Sequence, residues 1–125
     1  MAWKKAPEWL VESFGRLLPE DPRVERRKMF GYPCAFAGGH MFIGVHEDRL
    51  VLRLPEEERA SFRGEHGATP FEPFPGREMR EYSVVPRPLI EDPEALAPWV
   101  GKAVDHAASL PPKKPRKKAG GRGGR

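Results

Sequence analysis

The segment Lys28–Leu54, KMFGYPCAFAGGHMFIGVHEDRLVLRL, constrains the fold more than any other stretch of the chain. Gly38-Gly39 separates two apolar runs. Both glycines accept positive φ, so the pair reads as a two-residue β-hairpin turn. Glu47-Asp48 marks a second reversal with weaker chemistry, since neither residue is Gly or Asn. Two-residue turns fix the pairing by counting. Phe36 then faces Met41, Cys34 faces Ile43, Val45 faces Leu50, Ile43 faces Leu52 and Met41 faces Leu54. Side chains alternate along a strand. One face of the expected meander carries Cys34, Phe36, Met41, Ile43, Val45, Leu50, Leu52 and Leu54. The other carries Ala35, Phe42, Gly44, His46, Arg49, Val51 and Arg53. A slip of one residue would bury the arginines, so the register is well specified. An antiparallel sheet with one apolar face needs a cover, and the chain offers helices at both ends.

The first is expected over residues 7–18. Pro7 suits a first helical turn. Leu10, Phe14, Leu17 and Leu18 recur at helical spacing with Val11 beside them, and Pro19, Asp21 and Pro22 end the run. Residues 24–30 read as a strand entering the meander, interrupted by Gly31, Tyr32 and Pro33. After Leu54, Pro55 and three glutamates (Glu56, Glu57, Glu58) open a short helix, with Gly64 as its stop. Residues 65–77 read as loop, anchored by Phe71 and Phe74 among Pro70, Pro73 and Pro75. Residues 78–85 form a further strand. The last helix spans 92–110, with Asp92 as N-cap and Pro93 at N1. Its apolar face runs through Leu96, Trp99, Val100, Ala103, Val104, Ala107 and Leu110, and Pro98 implies a kink or a loose first turn.

A chain of 125 residues is one domain plus a tail, divided here at residues 1–110 and 111–125. The charge divides at the same place. The tail carries Lys113, Lys114, Arg116, Lys117, Lys118, Arg122 and Arg125 and no acid; the remaining 110 residues hold 15 basic against 18 acidic side chains. A mildly acidic body thus bears a basic tail without apolar anchors, which reads as disordered. Those seven residues are the candidate nucleic-acid contacts; the alternative is a segment that only keeps the protein soluble. The single cysteine forms no internal disulfide. No apolar run approaches the ~20 residues of a membrane span, and no signal-peptide pattern opens the chain. A cytoplasmic location is expected.

No catalytic constellation emerges. His40, His46, His66 and His106 fall at no metal-ligand spacing with a carboxylate or thiolate. Cys34 lies on the buried face, with His40 and His46 projecting from the other. Ser13, Ser61, Ser83 and Ser109 occupy no nucleophile-elbow pattern. Gly38-Gly39 joins strands and opens no helix, so it is no phosphate loop. Neither catalytic residues, metal ligands nor a cofactor are expected.

Arg27-Lys28-Met29-Phe30-Gly31, the hairpin Gly39-His40-Met41-Phe42, Asp48-Arg49-Leu50, then Phe74, Gly76-Arg77, Met79, Trp99-Val100 and Ser109–Lys113 together resemble the TfoX N-terminal domain family. The likeness covers roughly residues 8–113. Tyr32-Pro33 departs from the family, many of whose members have a second glycine there. The resemblance implies a two-layer α+β fold of order α-β-β-β-α-β-β-α with an antiparallel sheet packed by N- and C-terminal helices. Named members regulate bacterial natural-competence genes, and they carry a helical C-terminal domain where this chain has the basic tail. The expected function is a small non-enzymatic, transcription-related regulatory protein. Its fold would bind a protein partner or a second copy, and its tail would contact DNA or RNA. A homodimeric interaction module without a nucleic-acid role is the alternative, with Glu78–Val85 or Phe71–Phe74 as its surface.

Overall fold

The computed structural model describes residues 5–29 and 31–111. The elements run α1 (Glu8–Leu17), β1 (Val24–Met29), β2 (Tyr32–Ala37), β3 (His40–His46), β4 (Arg49–Arg53), α2 (Glu56–His66), β5 (Thr69–Phe74), β6 (Arg77–Val84), α3 (Arg87–Ile90) and α4 (Pro93–Ser109). The strands form one antiparallel sheet in the order β1-β2-β3-β4-β6-β5. The class is α+β, as expected. One strand more than the implied order precedes α2, because Gly31 at φ +83° reverses the chain so that Met29 pairs with Tyr32. Pro33 fits inside β2 because pairing with β3 begins only at Cys34.

Residues 69–74 form a strand where a loop was expected. The edge position of β5 explains this: prolines that cannot donate to a ladder are tolerated where one side has no neighbour. β6 compensates with an irregular register. Pro70 pairs with Ser83 but Phe71 pairs with Met79, so Arg80 to Tyr82 bulge away from β5.

The meander also corrects the expected register. Phe36↔Met41, Val45↔Leu50 and Ile43↔Leu52 pair as counted. Ile43, however, faces Ala35, and Cys34 faces Gly44, because β3 carries an extra residue, Phe42, between Met41 and Ile43. The bulge exchanges faces. Phe42, Ile43, Val45, Leu50, Leu52 and Leu54 share one core cluster with Ala35 and Ala37. A Cβ at Gly44 would lie 3.3 Å from the Met41 sulfur and 3.4 Å from Cys34 Cβ, so those residues occupy the opposite face.

All four helices cover the face of Ile43 and Leu52. Leu10 and Phe14 of α1, Phe62 of α2, Leu89 and Ile90 of α3, and Leu96, Trp99, Val100, Ala103 and Val104 of α4 join that cluster. Val11 lies outside the buried stripe and is 41% exposed. α2 passes through Gly64 and ends at Gly67, which takes φ +72° and donates its N–H to the Arg63 carbonyl. The Asp92 side chain caps α4, accepting from the Ala95 N–H, and the helix continues through Pro98 to Ser109.

Candidate functional site

The sheet face opposite the helices is the surface left for function. Its strands supply apolar residues framed by arginines. Val51, Phe71 and Tyr82 form a second, smaller cluster there, with Met41 and Val84 packed against it. Tyr82 anchors it by donating its hydroxyl to the Met41 carbonyl at 3.0 Å, and burial pushes its pKa up. Among the described residues no helical side chain joins this cluster. Three guanidinium groups lie over aromatic rings instead: Arg27 over Phe36 at 4.5 Å, Arg49 over Phe71 at 5.2 Å and Arg53 over Tyr82 at 5.8 Å. Planar cations over ring faces gain electrostatic attraction while their stems exclude water. Phe36, Phe71 and Tyr82 are buried beneath them.

Each of these arginines already has polar partners. Arg27 donates to Glu25 at 3.1 Å, and Arg53 donates through Nε to Glu81 at 2.6 Å. Arg49 donates to the Glu72 carbonyl at 3.2 Å and lies 3.0 Å from His46 Nδ1. Glu47 is 4.0 Å from Arg49. These three arginines are therefore partnered. They roof an apolar layer and do not form a bare cationic field for an anionic polymer.

The sequence-derived candidates scatter. His46 shares the helix-free face with Cys34, a correction that follows from the Phe42 bulge. It stands between the rings of Tyr32 and Phe71, at centroid distances of 5.6 and 5.4 Å. Burial and the nearby Arg49 hold its pKa below the usual histidine value. His40 lies on the helix side, its Nε2 2.7 Å from the Pro111 carbonyl, and ties the hairpin turn to the end of α4. His66 packs edge-on against Trp99 at 5.7 Å. His106 borders a depression of about 370 Å³ with Glu58 and Asp105. Those carboxylates are already paired, Glu58 with Lys102 inside the depression and Asp105 with Arg23. The Cys34 thiol is buried, and burial raises its pKa, against the smaller effect of Arg27. That is the reverse of thiolate activation. Among the described residues no group of three or more His, Cys, Asp or Glu side chains could hold a metal ion.

Sequence reasoning missed Arg63. From α2 it donates to Ser83 Oγ at 2.9 Å and to the carbonyls of Arg80 and Tyr82 at 3.1 and 3.3 Å. It thereby satisfies the bulged part of β6 and the fully buried Ser83 hydroxyl. No local signal marks it. The arginine–aromatic roof was more legible, because Arg49, Val51 and Arg53 alternate on one strand. Of the two expected docking segments, Glu78–Val85 lies largely in β6, which is interior to the sheet. The seven basic tail residues, Lys113 to Arg125, lie outside the described residues.

Helices on one side of an antiparallel sheet and arginines on the other define a two-layer α+β domain. The chain belongs to the TfoX N-terminal domain family, whose model matches residues 16–107. It is thus a regulatory, competence-related domain. No curated protein matches the chain. No helix among the described residues is long and apolar enough to cross a membrane.

Proposed function

We propose that this is a small non-enzymatic regulatory protein of the cytoplasm, with two divided tasks. The folded domain binds a protein partner, and residues 111–125 add nucleic-acid affinity. The observation that carries the reading is the segregation of charge. The tail holds seven cations and no acid, while the other 110 residues carry three more acidic than basic side chains. The helix-free face supports the same division, since Arg27, Arg49 and Arg53 are already partnered. Such a tail contacts phosphates and confers little sequence specificity.

The test is binding of the full chain to a duplex DNA across a salt series, beside a variant with all seven tail cations replaced by Gln. If every tail charge engages, the log–log salt slope of the native chain is about −6. The variant is expected to lose nearly all binding. Equal binding by both chains, or no binding by either at low salt, would overturn the nucleic-acid half of the proposal. The second outcome would favour a protein-interaction module alone, homodimeric or otherwise.

A further inference from the structure

The two edges of the sheet differ. At one end β5 carries Pro70 and Pro73 and pairs irregularly with β6. Missing donors and a broken register make that edge a poor template for another strand. At the other end β1 has six residues, no proline and an unbroken register with β2 from Val24 to Met29. Among the described residues no strand lies beside its outer backbone groups, and five of its six residues are exposed.

The side chains of β1 are lopsided. Glu25 and Arg27 point to the helix-free face and pair with each other. Arg26 and Lys28 point to the helix side and have no ion-pair partner among the described residues. They border a groove of about 400 Å³ whose apolar lining comes from Val11 and Phe14 of α1 and from Pro33. A strand with charges at its edge can simply be protected from pairing. Here the unpaired charges are of one sign and stand beside an apolar groove, which is a recognition pattern for an extended chain of opposite charge.

We infer that β1 is a strand-addition edge that takes an extended acidic segment of a partner protein. The segment's backbone continues the sheet beyond β1. Every second side chain of the segment points to the helix side, where acidic groups meet Arg26 and Lys28 and an apolar group at a further such position enters the groove beside Val11. Charge decides against a second copy as the occupant. A continuous antiparallel sheet with two-fold symmetry must set one residue opposite itself. Centred on Arg26, Arg27 or Lys28 it opposes like charges directly, centred on Glu25 it opposes two carboxylates, and centred on Val24 or Met29 it pairs only one end of β1. The Arg26-centred register would also set Glu25 against Arg27, a contact the single chain already makes. The inference rests on the reading that the folded part binds a protein, and it is independent of whether the tail binds DNA.

The probe is a phage-displayed library of random octapeptides selected on the full chain. Expected enrichment is for acidic residues at alternating positions followed, at the same spacing, by an apolar residue, so that all of them share one face of the extended peptide. The best peptide is then measured on the native chain, on R26E/K28E and on the chain with its seven tail cations replaced by Gln. The β1 double substitution is expected to weaken binding about tenfold, and the tail variant to keep it. Exchange of the Val24–Met29 amides is expected to slow when the peptide is bound. Both substituted positions are exposed, so unchanged circular dichroism will confirm folding. Absence of acidic enrichment would overturn the inference. So would binding lost with the tail cations but retained in R26E/K28E, which would place the acid on the tail. A dimer in analytical ultracentrifugation that R26E/K28E dissociates would assign the edge to a second copy instead.

Discussion

Replacing Arg63 with Ala tests how the irregular half of the sheet is held. The guanidinium makes three hydrogen bonds across the α2–β6 boundary, to Ser83 Oγ and to the Arg80 and Tyr82 carbonyls. Ser83 is fully buried, so its hydroxyl gains no water when the arginine leaves. An orphaned buried polar group costs roughly 1–3 kcal/mol, and the two carbonyls, which water can partly reach, about 0.5–1 kcal/mol each. The expected loss is about 2–5 kcal/mol, a large share of the ~5–15 kcal/mol that stabilises a domain. Urea unfolding followed by tryptophan fluorescence reads it, since Trp99 packs 4.9 Å from the Phe62 ring on the same helix as Arg63. The double-mutant cycle with Ser83→Ala sharpens the result. Once the hydroxyl is gone, Arg63→Ala should cost about 1 kcal/mol less. A loss below about 0.5 kcal/mol, or full additivity in the cycle, would refute the clamp.

The hairpin turn offers a second test, since a Cβ on Gly38 would come within 3.2 Å of the Ala107 carbonyl oxygen and of Ala108 Cα, at φ +62°. Gly38→Ala should cost about 2–3 kcal/mol in urea unfolding and Gly39→Ala, with open space around it, about 1 kcal/mol; equal losses would contradict the docking of the turn on α4. Burial holds the His46 pKa below its unfolded value near 6.5, so the unfolded chain takes up its proton first as pH falls. The folded state is therefore fully favoured by this group above pH 6.5 and loses that advantage as pH drops through the folded pKa. His46→Gln should flatten the stability profile in that window, and an unchanged slope would show that the histidine does not contribute. Cys34, buried with a raised pKa, should react with Ellman's reagent only as the protein unfolds in urea. Rapid native-state labelling would place the thiol elsewhere.

The helical layer was readable because its signals are local. Asp92-Pro93 starts α4, and apolar residues at helical spacing mark the buried stripes of α1 and α4. The β3–β4 pairing followed from alternation, since any slip would have buried Arg49 or Arg53. The β2–β3 faces did not follow. Residues on both sides of Phe42 are apolar, so both registers bury hydrophobic groups and nothing in composition selects between them. Gly31 was read as an interruption because a turn and a bend use the same residue. β5 was hidden by Pro70 and Pro73, whose meaning reverses once the strand is known to be an edge. The roles of Arg63 and of the arginine–aromatic pairs depend on tertiary neighbours distant in the chain, as Tyr82 is from Arg53 and Ser83 from Arg63. The charge division was legible outright, because it is a count along the chain.

The division of tasks is tested most directly by titrating a short DNA duplex into the isotopically labelled full chain and following every backbone amide. The account predicts shifts confined to residues 111–125, with β1 to β6 and the four helices unmoved. Shifts centred on Arg27, Arg49 and Arg53 would contradict it, because the face described as a closed arginine roof would then be the nucleic-acid surface.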